Sequence, residues 1–509
     1  MTRFKKYSYE QGLIIPVWFE EQVLPGSFEE TLHHVVNEMD LSIFVERYNN
    51  DFLGAPAYDP RIMLKIILLA YSKGIYYSRR IEKACKENVL FMALSANSKP
   101  DHSTISSFIS SMEKEIMPVF LKVLWICHDR GLIGGEMFAV DGCKFPSNAS
   151  KEWSGTKADF KKKKKKIESL IQAILAKHKA LDKDDIKAEM LEKEKRSVEH
   201  LKGKLSKLET WLKENEDKSG RNGRINKSNI TDNESAKMPS SHGMIQGYNG
   251  IAVVDEKHQV ILSAPLSDGG KEQSSLPNAI ETTKENLKEV GKTENDFKQA
   301  KIIADTGFFS KENLKFINEE KLDAYIPDPK FRKRDPRFQD ADRHKITIKE
   351  HKQLGKKFYT PEDFKYDKEK GKLICPAGNE LYIRNSNFFT SKGEHGISYK
   401  AKITDCRHCA LRAKCLRNPN TESRQVHYFH ERCKSPLIEN MKQKIDSAFG
   451  KFIYSQRMKI VEPVFAHLRH NIGLNRFTMR GSNKIKIQWN LYAIVHNIFK
   501  IWRFGPAIA

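Results

Sequence analysis

Cysteine is scarce, eight in 509 residues, far too thin for the disulfide framework of a secreted scaffold. Long apolar runs are missing as well. The best stretch, Ile62 to Tyr71, is short and broken by Lys65, whereas a membrane helix needs about 18 or more uninterrupted apolar residues. No membrane role is expected. Acid is in deficit: 65 Asp+Glu stand against 88 Lys+Arg, leaving a formal net charge of +23 at pH 7 and a pI near 9.4. Such an imbalance makes a polyanion the first expected partner. The basic N-terminus, MTRFKKYSYE, has no apolar segment with a small-residue cleavage site behind it. It does not read as a signal peptide, and a cytoplasmic location is expected.

What is present suffices for folded domains. Hydrophobic residues make up 39% and aromatics 10% of the chain, too much for a disordered basic tail, and the length suggests roughly two to four domains. Residues 1 to about 130 read as short helices broken at Pro25-Gly26, Gly54 to Pro56 and Lys99-Pro100. Ile62, Leu64, Ile67, Leu68 and Tyr71 form one helix face, Arg79 and Arg80 sit on the next helix, and Asp101 to Thr104 offer caps for a third. Short helices with basic residues on the second or third suit a helix-turn-helix-like DNA reader, and a plain basic bundle is the competing reading.

Met137-Phe-Ala-Val-Asp141 is a buried strand ending in a carboxylate, with Gly142 and Pro146 interrupting the pattern. From Lys161 to about Gly220 the chain is highly charged, yet Ile167, Leu170, Ile171, Ile174 and Leu175 recur at helical spacing, as do Leu201, Leu205, Leu208 and Trp211-Leu212. Two helices joined near Leu181 to Asp185 would form a hairpin arm. Its lysine run, Lys161 to Lys166, reads either as a phosphate contact or as a solvated face. Beyond a polar stretch from Lys218 to Ser241, Gly250 to Asp255 and Gln259 to Ala264 form a hairpin, residues 271–290 a helix, Lys301 to Asp305 a second strand ending in an acid, Ser310 to Glu320 a helix and Leu322 to Ile326 a strand. A long helical pattern from about Leu437 to Asn471 carries Glu462.

Asp141 and Asp305 at neighbouring strand ends, with Glu462 on a helix, can hold two divalent cations about 4 Å apart for phosphoryl transfer. Oxygen ligands suit Mg²⁺ or Mn²⁺. Cys375, Cys406, Cys409 and Cys415 supply the sulfur ligands of a tetrahedral structural Zn²⁺ site, with His408 as an alternative ligand. Cys85, Cys127, Cys143 and Cys433 are isolated and read as buried small apolar residues.

The series YDPRIMLKIILLAYSKG, PDHSTISSF, FAVDGCKFPSNASK, TDNESAKM, GYNGIAVVD, IIADTGFFS and VEPVFAHLRHNIGLNRFTMRG resembles bacterial insertion-sequence DDE transposases over nearly the whole chain. The resemblance implies an α+β multidomain fold with a ribonuclease H-like catalytic domain. Its parts would be a helical N-terminal DNA-binding domain (1–130), the first catalytic strand (131–150), a charged helical hairpin (151–220), the rest of the catalytic α/β layer (221–327), a cysteine-rich insertion (328–433) and a C-terminal catalytic helix region (434–509).

It also implies that Asp141, Asp305 and Glu462 act through metal in strand cleavage and transfer on double-stranded DNA, with a homodimer in the DNA complex. Tyr454, Arg457 and Arg469 stand near the Tyr, Arg and Lys of the family's signature around the glutamate. Four residues separate Arg457 from Glu462 where three are commoner, and Arg469 replaces lysine. On an unbroken helix, at about 100° per residue, Arg457 and Glu462 would diverge while Arg469 would share the face of Glu462. A non-catalytic DNA-binding remnant and a nuclease without strand transfer are the alternatives.

Overall fold

The computed structural model describes residues 17–48, 56–180, 188–219, 225–240, 243–267, 273–338, 358–367, 369–389, 395–429 and 436–506. The expected hairpin turn at Leu181 to Asp185, the break at Gly54 and Cys433 lie outside them. Two compact units form. One comprises residues 1–218, 227–325 and 452–509, the other 219–226 and 326–451.

The first unit begins with helices whose starts follow their capping residues. Ser27 accepts the Glu30 amide ahead of α1 (Phe28–Asn37), Asp59 accepts the Arg61 amide ahead of α2 (Pro60–Ser72), and α3 spans Ser78–Glu87. Asp101 accepts the amides of Ser103 and Thr104 at the start of α4 (His102–Ser110), as its position in the sequence suggests. The helix α5 (Ile116–Asp129) completes the set. Rather than showing one apolar face, α2 is buried continuously from Met63 to Ser72. The reason is the C-terminal helix Ser482–Phe504, itself buried from Ile487 to Ile498. Tyr71 meets Tyr492 with ring centroids 5.0 Å apart, and Phe28 stacks on Phe499 at 4.2 Å. The N-terminal helices therefore share a core with the last helix of the chain, each buried aromatic contributing about 2–3 kcal/mol through area removed from water.

The sheet of this unit is mixed. Strand β1 (Met137–Pro146) pairs antiparallel with β3 (Gly243–Asp255), whose far edge carries β2 (Ala236–Ser240) and β4 (Ile261–Ser263). On the other side of β1 lie β5 (Lys301–Ala304) and β6 (Asp323–Tyr325), both parallel to it. The crossovers to these parallel strands use helices Leu276–Glu289 and Lys311–Glu319. This mixed order, with the antiparallel strands β1 to β4 followed by two strands parallel to β1, is consistent with a ribonuclease H-like core. Two glycines of GYNG are required by close approach. A Cβ on Gly250 would lie 2.9 Å from the Trp489 ring, and one on Gly247 would lie 2.0 Å from the Phe145 carbonyl oxygen.

The charged segment forms two helices, Lys157–Ala180 and Ala188–Glu214. They close over Phe160, Ile167, Ile171, Val198, Leu208 and Trp211. Leu170 and Leu175, expected on the same stripe, are exposed. Part of the lysine run is engaged within the arm: Lys163 donates to the Glu152 carbonyl at 2.7 Å, and Lys164 pairs with Glu209 at 2.7 Å.

The second unit is built on a five-stranded antiparallel sheet of Lys365–Asp367, Lys372–Ile374, Glu380–Phe389, His395–Lys400 and Gln425–Tyr428. One face packs Leu373, Leu381, Tyr399 and Val426. No described helix is long and apolar enough to cross a membrane.

Candidate active site

Strand β1 does not stop at Asp141, contrary to the sequence pattern. Its pairing with β3 continues through Gly142 to Pro146, whereas its parallel pairing with β5 ends at Val140 opposite Ala304. One edge of β1 thus opens at Asp141. Because the last parallel pair is Val140 with Ala304, the next residues on the two strands are Asp141 and Asp305. The short 3₁₀ turn Thr306–Phe308 begins immediately, and Asp305 accepts the Gly307 amide at 2.6 Å.

Asp141 is largely buried. One carboxylate oxygen accepts the Gly142 amide at 2.8 Å, and the other accepts Arg457 Nη1 at 2.6 Å. Burial pushes its carboxyl up to about 6; Arg457 pulls the other way, and the neighbouring Asp305 adds to the rise. Burial likewise opposes the charge on Arg457, but the fields of Asp141, Tyr454 and Asp305 outweigh it and hold the guanidinium above its ordinary value. The other nitrogen of Arg457, Nη2, stands 3.8 Å from Glu462 Oε1, and Glu462 is half exposed.

Arg457 and Glu462 therefore lie close, on a helical path that is interrupted between them. The expected helix from Leu437 to Asn471 is in fact a series: Pro436–Asp446, Ala448–Ser455, Arg457–Ile460, Glu462–Ala466 and a π-turn at His467–Asn471. Pro463 explains the break at Glu462. Proline has no amide proton to give the carbonyl four residues back, and the Lys459 carbonyl instead accepts Gln259 Nε2 at 2.9 Å. Arg469 reaches β1 just past Asp141. Its Nη2 donates to Cys143 Sγ at 2.8 Å and the Lys144 carbonyl at 3.3 Å, and its guanidinium lies 5.2 Å from the Phe145 ring centroid. Tyr454 is half-buried on Ala448–Ser455. Arg79 and Arg80 are exposed on α3, with Arg80 over the Tyr77 ring at 5.7 Å.

Among the described residues, no three His, Cys, Asp or Glu side chains converge as they stand into a metal-holding group. The donor chemistry at Asp141 still fits a divalent cation. Two neighbouring carboxylates, one buried and driven up by the other, are in the electrostatic situation that a hard cation with oxygen ligands relieves. At present Arg457 provides the positive charge. The third carboxylate, Glu462, faces the same guanidinium.

The second unit brings Cys375, Cys406, Cys409 and Cys415 to the lining of one cavity of about 30 Å³; His408 is outside that lining. The Cys375-Pro-Ala-Gly378 turn closes with the Gly378 amide on the Cys375 carbonyl at 2.8 Å and the Asn379 amide on Cys375 Sγ at 3.3 Å. The four thiols are free. Burial raises the Cys415 thiol; Arg424 opposes this, and the other three cysteines add to it. Cys85 and Cys127 are buried as expected, whereas Cys143 is partly accessible beside Arg469.

No curated protein matches the chain. Residues 374–502 match the family model described as Transposase DDE domain, a segment that contains the four cysteines, Arg457, Glu462 and Arg469 but neither Asp141 nor Asp305. Residues 17–111, the helices up to α4, match the model described as Transposase domain (DUF772). The chain thus carries transposase-domain sequence in two separate segments, which in chain order precede and follow the strands of a mixed sheet consistent with a ribonuclease H-like core.

Proposed function

We propose that the chain is a DDE transposase of an insertion sequence, cutting DNA at the element ends and joining the 3′ ends to a target. The observation that carries this reading is the end of the parallel ladder at Val140 and Ala304, which leaves Asp141 beside Asp305 with Arg457 linking Asp141 to Glu462. Asp141, Asp305 and Glu462 would hold Mg²⁺ or Mn²⁺, which when bound activates the attacking oxygen and stabilises the leaving 3′ oxygen. Arg457 favours the ionised form of Asp141 against burial. With Asp141, Asp305 and Glu462 holding a cation, the Arg457 guanidinium would be available to a DNA phosphate, which arginine grips with two parallel hydrogen bonds. Arg469, Tyr454, Arg79 and Arg80 are further DNA contacts in this reading, and paired cutting of two ends calls for a homodimer on DNA.

Labelled DNA carrying the element ends, incubated with a plasmid, tests the assignment by its products. Cleaved ends joined to the plasmid are expected. Cleavage without joining would make the protein a nuclease, and binding without either would make it an inactive remnant. Affinity should also fall steeply with added salt, since phosphate contacts release counterions; a flat response would contradict DNA as the partner.

For the second unit, the four cysteines around one cavity and the amide directed at Cys375 Sγ support a structural Zn²⁺ site. One zinc per chain is expected by elemental analysis, and Cys409→Ser should lose it along with much of this unit's thermal stability. Metal-free protein with unchanged melting would remove the zinc from the account.

A further inference from the structure

Behind the Glu462 helix lies a cavity of about 250 Å³, lined by Gln259, Pro463, Ala466, His467, Asn471, Phe499, Lys500 and Arg503. At about 30 Å³ per water, it has room for roughly eight waters, ample for a tetrahedral oxyanion and its hydration. Its lining contains three basic side chains and no carboxylate.

The basic groups are interlocked. Lys500, 9% exposed, donates to Gln259 Oε1 at 2.9 Å, and a lysine ammonium has two further protons to give. His496 is fully buried, and its Nε2 donates to the Gln259 carbonyl at 2.9 Å. That bond leaves His496 Nδ1 as the acceptor for His467 Nδ1, 3.0 Å away.

Burying the Lys500 ammonium is costly unless an anion compensates. The charged neighbours acting on Lys500, His467 and His496 are all basic: Arg503 on Lys500, Lys500 and Arg503 on His467, and Lys500, His467 and Arg503 on His496. With burial as the larger cause, Lys500 is lowered to about 8 and His467 to about 4. Asp255, at the end of β3, does not serve as the counterion. Its two oxygens accept the amides of Gly134, Gly135 and Lys257 at 2.8 to 3.0 Å.

We propose that this cavity is an oxyanion site that takes a phosphate-type ligand between Lys500 and Arg503, with His467 in its wall. The ligand is either a phosphodiester of bound DNA or free inorganic phosphate, and both present the same tetrahedral oxygens. The inorganic-phosphate arm of the test is independent of the catalytic assignment, whereas the DNA arm rests on the transposase reading. Gln259 ties the site to the Glu462 segment. Its backbone carbonyl and side-chain oxygen hold His496 and Lys500, while its amide nitrogen holds the Lys459 carbonyl left open by Pro463.

The full chain, in buffer free of phosphate and sulfate, is titrated with inorganic phosphate while melting temperature and the histidine ring proton resonances are followed; duplex affinity is measured in parallel. A saturable response that Lys500→Met and Arg503→Gln each weaken by roughly tenfold, one charge-assisted hydrogen bond, is the expected result. Arg503 is exposed, so Arg503→Gln keeps the test open should Lys500→Met fail to fold. If duplex affinity falls with the phosphate response, the ligand is the DNA backbone; if only the phosphate response falls, it is the free anion. A loss of duplex affinity without a phosphate response also supports the backbone. Wild type showing no phosphate response together with unchanged duplex affinity in folded variants would overturn the proposal, as would a phosphate response that both variants retain.

Discussion

Asp141 on β1 and Asp255 on β3 are both aspartates on paired central strands, both are largely or wholly buried, and burial raises both carboxyls. They differ in their partners. Asp255 is surrounded by fixed backbone donors from Gly134, Gly135 and Lys257, which tie the entry to β1 to the end of β3. Asp141 has the amide of the next residue, one movable arginine and a second aspartate beside it. Backbone amides cannot leave, so Asp255 is a structural anchor. The surroundings of Asp141 can be rearranged, and a cation can take the place of the arginine.

Exchanging each aspartate for asparagine should give the widest separation. Asp141→Asn is expected to reduce cleavage by about a thousandfold or more in protein that still folds and binds DNA, because a metal ligand is lost together with the charge that pairs with Arg457. Asp255→Asn should do the reverse, lowering stability by about 1–3 kcal/mol through amides left without acceptors while the folded fraction still cleaves. Cleavage rates and denaturation curves for the two variants check this, and equal loss of cleavage per folded molecule would erase the distinction.

A smaller effect sharpens the role of Arg457. Since the arginine lowers the Asp141 carboxyl from where burial and Asp305 would push it, Arg457→Met should move that group above about 6 and shift the acid limb of the cleavage profile to higher pH. An acid limb that stays in place would mean that Arg457 does not govern Asp141.

The smallest effect is on stability. The folded-state value of Asp141 lies above its ordinary 3.8, so the folded protein binds that proton more tightly than the unfolded chain. Its contribution is therefore present at low pH and declines as pH rises from about 4 to about 6. In Asp141→Asn, that part of the slope of unfolding free energy against pH should vanish in metal-free buffer. A slope unchanged by the substitution would contradict the raised carboxyl.

Local patterns identify the strands well but not which acid matters. Met137 to Asp141, Gly250 to Asp255 and Lys301 to Asp305 are each an apolar run closing on aspartate, and periodicity cannot tell a carboxylate enclosed by backbone amides from one left open. That difference depends on Gly134 and Gly135, more than a hundred residues from Asp255 in the chain, and on where the β1–β5 ladder ends. The position of Arg457 was also obscured, because counting 100° per residue assumes a continuous helix. Pro463 was the local signal that the count fails there. The four cysteines were legible as a group, but the exclusion of His408 from their cavity depends on how the chain folds around them. The cluster of His467, His496, Lys500 and Arg503 gives no motif at all, since Gln259, which joins it to the Glu462 segment, comes from a distant hairpin turn.

The most direct measurement is cleavage of end-labelled element DNA with Mg²⁺ or Mn²⁺ by wild type and Asp305→Asn at equal DNA occupancy. Metal-dependent cleavage by wild type, with joined product, and none by the variant is the predicted result; cleavage by Asp305→Asn at the wild-type rate would contradict the assignment of Asp141, Asp305 and Glu462 as the site of strand cleavage.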